Sequence, residues 1–224
     1  MCSRFTRAYT WSDLHDFLNV RLPAHEDALP PSYNVAPTQP SAIVRMTTER
    51  RRDLAIARWG LVPPQADDPS IGTQLVNAHA ERVANEPAFR AAYRRRRCLV
   101  PVSGFYEWQD IPSRDMKQPW YIRPAGGGIM CLAGLWERWE KASRAMESFT
   151  IITTDANRFV RRLHNRMPVI LRPEVFDTWL DPQATPEALG ALLVPAPVEA
   201  VEAHPVSTRI NDVYANDPSL VVPV

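Results

Sequence analysis

The sequence predicts an α+β fold: a single domain built on a largely antiparallel, barrel-like β-sheet with flanking helices and long proline-rich loops. Three observations lead there. Short runs rich in β-branched and aromatic residues recur between turn signals, as strands of an antiparallel sheet do. Helical patterning is confined to a few brief segments. The 22 prolines fall mostly between these segments, where a fixed φ and a missing N–H are tolerated. No internal repeat, low-complexity linker or break in composition divides residues 1–224. A chain of 224 residues is long enough to bury a substantial core.

Taken in order, Trp11 to Val20 reads as a short helix with Ser12 as N-cap before Asp13. Pro23 to Pro40 is polar and proline-rich and is expected to be an ordered loop. Ser41 to Thr47 and Asp53 to Trp59 pattern as two strands joined by the charged turn Glu49 to Arg52. Glu86 to Arg96 is a helical segment. Leu99 to Val102, Phe105 to Gln109, Pro119 to Arg123, Ile129 to Leu135 and Phe149 to Thr153 are short strands separated by turns. Pro173 to Leu180 and Pro186 to Leu193 are helical, and Val221 to Val224 closes the sheet.

The formal net charge of +1 conceals an uneven choice of cation. Of 26 basic residues all but Lys117 and Lys141 are arginine, and they cluster at Arg50 to Arg52, Arg94 to Arg97, and Arg158, Arg161, Arg162 and Arg166. Arginine binds phosphate bidentately and stacks on bases, which suits a local groove for single-stranded nucleic acid. A preference for arginine as the default surface cation explains any one cluster equally well. Near-neutral overall charge argues against indiscriminate coating of DNA. Cys2, Cys98 and Cys131 lie far apart without metal-ligand spacing, so a reducing compartment is expected and neither a metal nor a cofactor is. Charged and polar residues interrupt the N-terminal stretch from Ser3 to Arg21, and no run is long and apolar enough to span a bilayer. The expectation is a cytoplasmic monomer without membrane contact.

Four positions carry candidate chemistry. Removal of Met1 would leave Cys2 with an α-amine and a thiol on adjacent carbons, a specific trap for aldehydes: the amine gives a Schiff base and the thiol closes on it. The α-amine, with an ordinary pKa of about 7.7–8.0, has a neutral fraction near pH 7. Glu107 sits between Tyr106 and Trp108. Partial desolvation there would raise its pKa and suit it to proton transfer, whereas plain strand alternation would point it outward. His164 stands at the mouth of a buried-looking, proline-containing strand, as a catalytic group or a simple turn residue. Asn77 is either a polar group of the site or the cap of a helix starting near Ala78.

Seven blocks occur in order: Met-Cys-x-Arg-Phe from Met1, Tyr33 to Pro37, Trp59 to Pro63, Asn77 to Glu81, Gly104 to Trp108, His164 to Leu171, and Pro205 to Thr208. This arrangement closely resembles the SRAP family of SOS-response-associated, abasic-site-processing proteins, bacterial type, over essentially the whole chain. The chain ends soon after the last block, so the C-terminal tail of eukaryotic relatives is not expected.

The resemblance implies covalent capture of abasic sites in single-stranded DNA, the open-chain sugar aldehyde becoming a thiazolidine on the N-terminal cysteine. It implies Cys2 as nucleophile, Glu107 as proton shuttle, and His164 as the group that assists sugar opening and crosslink reversal. Asn77 would hold the N-terminal residue or the sugar. DNA contacts would come from Arg4 and Arg166 to phosphates, His79 and Arg82 nearby, and the Ser207 and Thr208 hydroxyls. The sequence departs from the family pattern in places. Ser3 replaces a common glycine, Gln65 a tryptophan that wedges against bases at a duplex junction, His79 an arginine, Arg82 a small hydroxyl residue, and Asn165 an aspartate beside the histidine. Two other activities fit an N-terminal cysteine: an amidase or autopeptidase, and a noncovalent single-strand binder in which the thiol is incidental.

Overall fold

The computed structural model describes residues 2–20, 29–112 and 116–224. Its strands are β1 (Phe5–Arg7), β2 (Ser32–Val35), β3 (Pro40–Met46), β4 (Arg52–Trp59), β5 (Asn77–His79), β6 (Arg97–Val102), β7 (Gly104–Gln109), β8 (Gln118–Pro124), β9 (Met130–Lys141), β10 (Arg144–Asp155), β11 (Arg166–Pro168), β12 (Ile170–Leu171) and β13 (Val201–Pro205). The helices are α1 (Trp11–Leu18), α2 (Arg90–Arg95), α3 (Phe176–Leu180) and α4 (Pro186–Ala191).

Strands β10, β4, β3, β6 and β9 pair in turn, and β9 returns to β10, closing a five-stranded ring. Closure removes the exposed edges that an open sheet would leave unpaired. A second sheet runs β13-β8-β7-β1-β2 and is antiparallel throughout. Parallel pairing occurs where β10 meets β4 and β5. The expected α+β, barrel-like architecture with flanking helices is what forms.

Alternation along the strands divides the core. Val44, Leu99, Ala133, Leu135 and Ile152 pack with Leu14 and Leu18 of α1 and with Phe176, Trp179 and Leu189 of the C-terminal helices. Their neighbours Ile43, Cys98, Val100, Leu132 and Ile151 face the other way and join Phe5, Phe105 and Ile122 of the second sheet. Trp59 and Phe149 stack in this second cluster with ring centroids 6.4 Å apart; burying each such ring stabilises the fold by about 1.5–3 kcal/mol. Gly134 of β9 lies opposite Cys98, where a Cβ would meet Val100 Cγ2 at 2.7 Å and Cys98 Sγ at 2.9 Å. Cys98 and Cys131 are free, fully buried packing residues.

β10 changes partners along its length, which builds the site. Its first part pairs with β9, and its last residues are gripped between β5 and β11. Thr153 therefore faces His79 on one side and Pro168 on the other.

Several local expectations need correction. The N-cap of α1 is Thr10 and not Ser12. Thr10 Oγ1 accepts from the Asp13 N–H at 3.1 Å and Asp13 Oδ2 accepts from the Thr10 N–H at 2.8 Å, a reciprocal capping box. The helix stops at Leu18 because Asn19 turns left-handed, φ 50°. Within the loop expected from Pro23 to Pro40, residues 21–28 lie outside those described, and 32–35 form β2. The α2 helix starts at Arg90, after turns that follow Pro87, since a proline disfavours helical geometry in the residue before it. Asn77 caps no helix; it opens β5. The C-terminal residues make a 3₁₀ turn, Pro218–Val221, and one isolated bridge between Val206 and Pro223 in place of a closing strand. Among the described residues no helix is long and apolar enough to cross a membrane.

Candidate active site

Cys2 precedes β1 and is wholly buried. Its carbonyl accepts from Asn77 Nδ2 at 2.9 Å. Since β5 is locked against β10 through Ile151 opposite Asn77, that amide is held by the ring and not by a loop. The other end of the amide, Oδ1, is buried and makes no hydrogen bond among the described residues, which leaves an acceptor beside Cys2.

Glu107 comes from β7, whose pairing with β1 sets Phe5 against Phe105 and continues through the Tyr106 N–H to the Arg4 carbonyl, 3.0 Å. Period-2 alternation decides its direction. Tyr106 and Trp108 face the cluster of Tyr121, Val206, Ile210 and Leu220. Phe105, on the face that Glu107 shares, packs in the same cluster as Cys2. Glu107 is only 2% exposed, so of the two readings of this position the inward one holds. Burial raises its pKa to about 7, which keeps acid and base forms both populated near neutrality. The Cys2 thiol is pushed far up, first by burial and then by the Glu107 charge, so it rests as the protonated thiol.

His164 follows the 3₁₀ turn Val160–Arg162. Asn157 builds this turn: its Oδ1 accepts from the N–H groups of Phe159 and Val160 at 3.0 and 2.9 Å, and its Nδ2 donates to the Ala196 carbonyl at 2.9 Å. His164 Nδ1 accepts from the Arg166 N–H at 3.0 Å. The same nitrogen lies 3.2 Å from the Arg166 carbonyl oxygen, so the Arg166 backbone holds the ring through Nδ1. Burial is also the leading cause that lowers the His164 pKa from its ordinary value. Gln109, two residues beyond Glu107 on the same strand face, donates from Nε2 to the Arg162 carbonyl at 3.2 Å and ties the His164 segment to β7.

The structure thus gathers Cys2, Asn77 and Glu107 at the start of β1, with His164 on a segment anchored beside them. The expected DNA contacts are dispersed. Arg4 Nη1 donates to Asn34 Oδ1 at 3.1 Å and to the Ile210 carbonyl at 3.0 Å. Arg166 is held by Glu81, Asp155 and the Thr153 carbonyl. His79 on β5 is half-buried, and its pKa is lowered by burial and then by Arg166 and Arg82. Arg82 is exposed, 4.0 Å from Glu86. Ser207 caps the 3₁₀ turn Thr208–Asn211, which carries the Ile210 carbonyl to Arg4; Thr208 is exposed. Among the described residues no group of three or more His, Cys, Asp or Glu side chains could hold a metal.

Residue-by-residue reading missed three supports: Asn34, Asn157 and the Glu81–Arg166 pair. Asn34 donates to the Asp212 and Ala215 carbonyls at 2.9 Å each while it holds Arg4. It lies in the Tyr33 to Pro37 block, so its position was marked without its role.

The family model described as SOS response associated peptidase (SRAP) matches residues 1–213. The chain is 37% identical to the abasic site processing protein YoaM of Bacillus subtilis, over 99% of this chain and 97% of that protein. It is 30% identical to the abasic site processing protein HMCES of Xenopus tropicalis, over 88% of this chain and 68% of that one. A crystal structure of a Bacteroides thetaiotaomicron protein superimposes over 100% of both chains with a TM-score of 0.89 at 24% identity, a likeness of fold.

Proposed function

The chain belongs to the SRAP family, and on that premise we propose that it processes abasic sites in single-stranded DNA by covalent capture on Cys2. The observation that carries this reading is a buried cysteine whose carbonyl is held by Asn77, packed with a carboxyl whose pKa lies near neutrality.

After hydrolysis of the Met1–Cys2 bond, the free α-amine attacks the aldehyde of the ring-opened sugar to give a carbinolamine. Glu107 as an acid protonates the departing hydroxyl, water leaves, and an imine forms. The Cys2 sulfur then bonds to the imine carbon while its proton passes to nitrogen, closing the thiazolidine with one water lost in all. A resting thiol suits this order, because its proton is needed only when the ring closes. His164, held through Nδ1 by the Arg166 backbone and with its pKa lowered by burial, is assigned to opening the sugar and to releasing the adduct. Asn77 positions Cys2, and its spare Oδ1 can accept from the amine or from a sugar hydroxyl. Of the DNA contacts, exposed Arg82 and Thr208 are free to reach the backbone, while Arg4 and Arg166 would have to share donors already in use.

The test is intact-mass spectrometry of the processed protein before and after incubation with an oligonucleotide bearing one abasic site. The expected result is a denaturation-resistant adduct of protein plus DNA minus one water, abolished in Cys2→Ala. A full-strength adduct in Cys2→Ala would overturn the reading.

A further inference from the structure

We infer that the cleft bounded by Gln109, Trp120, Phe159, Arg162 and Leu163 is a nucleobase subsite, which seats the unstacked base of a nucleotide adjoining the abasic one. The inference rests on the DNA reading above and adds a part to the same site.

Position is the first argument. Trp120 is the cross-strand partner of Glu107. Gln109 lies two residues along β7, about 7 Å from Glu107 on the same face, and Leu163 adjoins His164. The cleft therefore opens beside the acid–base group. The abasic sugar brings no base of its own, so an aromatic seat at this distance serves a neighbour.

Size and chemistry are the second. The cavity is about 150 Å³, well below the roughly 300–1,000 Å³ of a site that encloses a whole small molecule. It fits one flat ring. Its walls include two aromatic rings, Trp120 and Phe159, and the Arg162 guanidinium stands 4.8 Å from the Phe159 ring centroid. Aromatic and guanidinium planes are what unstacked bases pack against. Among the described residues no carboxylate lines the cleft, and exposed Arg158, Arg161 and Arg162 supply positive charge for the attached phosphates.

The third is preorganisation. Gln109 Oε1 accepts from Trp120 Nε1 at 3.0 Å while its Nε2 donates to the Arg162 carbonyl, so one side chain fixes both walls. With both ends of that amide engaged, the subsite should require a base without reading which base it is.

The experiment measures initial crosslinking rates at low protein concentration on oligonucleotides with one reactive abasic site. In two of them, the 5′ or the 3′ neighbour is replaced by a tetrahydrofuran residue that has neither base nor aldehyde. The parent should lose roughly 5- to 150-fold in rate on one side only, the range that one stacked base is worth, and should be indifferent to base identity there. Trp120→Ala should react with the base-bearing strand no faster than with the baseless one. Arg162→Ala, at an exposed position, should shrink the difference without disturbing the core, and Trp120→Phe should keep most of it. A parent indifferent to both neighbours, or variants that keep its full difference, would overturn the subsite. The same series read as equilibrium binding of unreactive strands to Cys2→Ala separates the two readings. Base-dependent affinity without any adduct from the parent would uphold the subsite and sink covalent capture. Adducts without base dependence would do the reverse.

Discussion

The Arg166 guanidinium grips both oxygens of Glu81, Nη1 to Oε1 at 2.8 Å and Nη2 to Oε2 at 2.9 Å. The same residue's backbone N–H donates to His164 Nδ1. Glu81 follows β5 and Arg166 begins β11, so the pair bridges the two strands that flank the end of β10. A two-pronged Arg–carboxylate pair fixes direction as well as distance. Arg166 is thus a positioning residue for the histidine. Glu81 is half exposed, so loss of the pair should cost only about 0.5–1 kcal/mol of stability. Glu81→Gln should nevertheless slow exchange of a preformed adduct onto fresh abasic strand several-fold and move the pH midpoint of that exchange. An unchanged exchange profile alongside reduced urea stability would leave the pair a purely structural role.

Glu107 makes stability depend on pH in a defined direction. Its folded pKa, about 7, lies above the unfolded value, so between about pH 4.5 and 7 the native state binds more protons than the unfolded one. Native stability then falls as pH rises through that window, by about 3 kcal/mol at full ionisation. Glu107→Gln removes the ionisation and should be more stable than the parent at pH 8, with the gain shrinking toward pH 5. Its crosslinking rate should drop by roughly 10²–10⁴-fold, the usual worth of a general acid–base group. Urea melts across pH 5–8 and single-turnover crosslinking test the two halves separately.

His164→Ala should still form the adduct but reverse slowly. When preformed adduct is challenged with excess abasic strand, exchange should fall at least tenfold while the capture yield stays near that of the parent. Exchange as fast as in the parent would remove His164 from the release step.

Strand preference follows from geometry. A buried thiol that must meet an opened sugar cannot reach one stacked inside a duplex, so yields should be far higher on single strands. Binding should weaken as salt rises. Arg82→Ala should lower affinity evenly across sequences and flatten the log–log salt slope by about 0.7, one phosphate contact's worth on a single strand. An unaltered slope would exclude Arg82 as a phosphate contact.

Legibility varied with the range of the interactions. The strands from Ser41 to Trp59 and the β7–β8 pair were readable because alternation and turn residues are local. The three-residue strands β1 and β5 were not, since segments that short gain strand geometry only from partners far away in sequence. The capping box of α1 was local but misplaced by two residues: Thr10 and Asp13 form the matched pair, and Ser12 merely adjoins it.

The chemistry was likewise divided. Sequence alone determined that an amine–thiol pair could arise at Cys2 and that arginine dominates the cations, because these are matters of residue identity, while the resemblance carried by the ordered blocks implied Asn77, Glu107 and His164 as its companions. Tertiary structure alone decided which way each of them faces and what state it rests in. Glu107 became a buried acid with a pKa near 7, where strand alternation alone would equally have allowed a solvated carboxylate. Asn77 became a clamp on the Cys2 carbonyl and Arg166 an internal tie. Desolvation and hydrogen bonding are set by neighbours brought together from distant parts of the chain, and no local pattern encodes them.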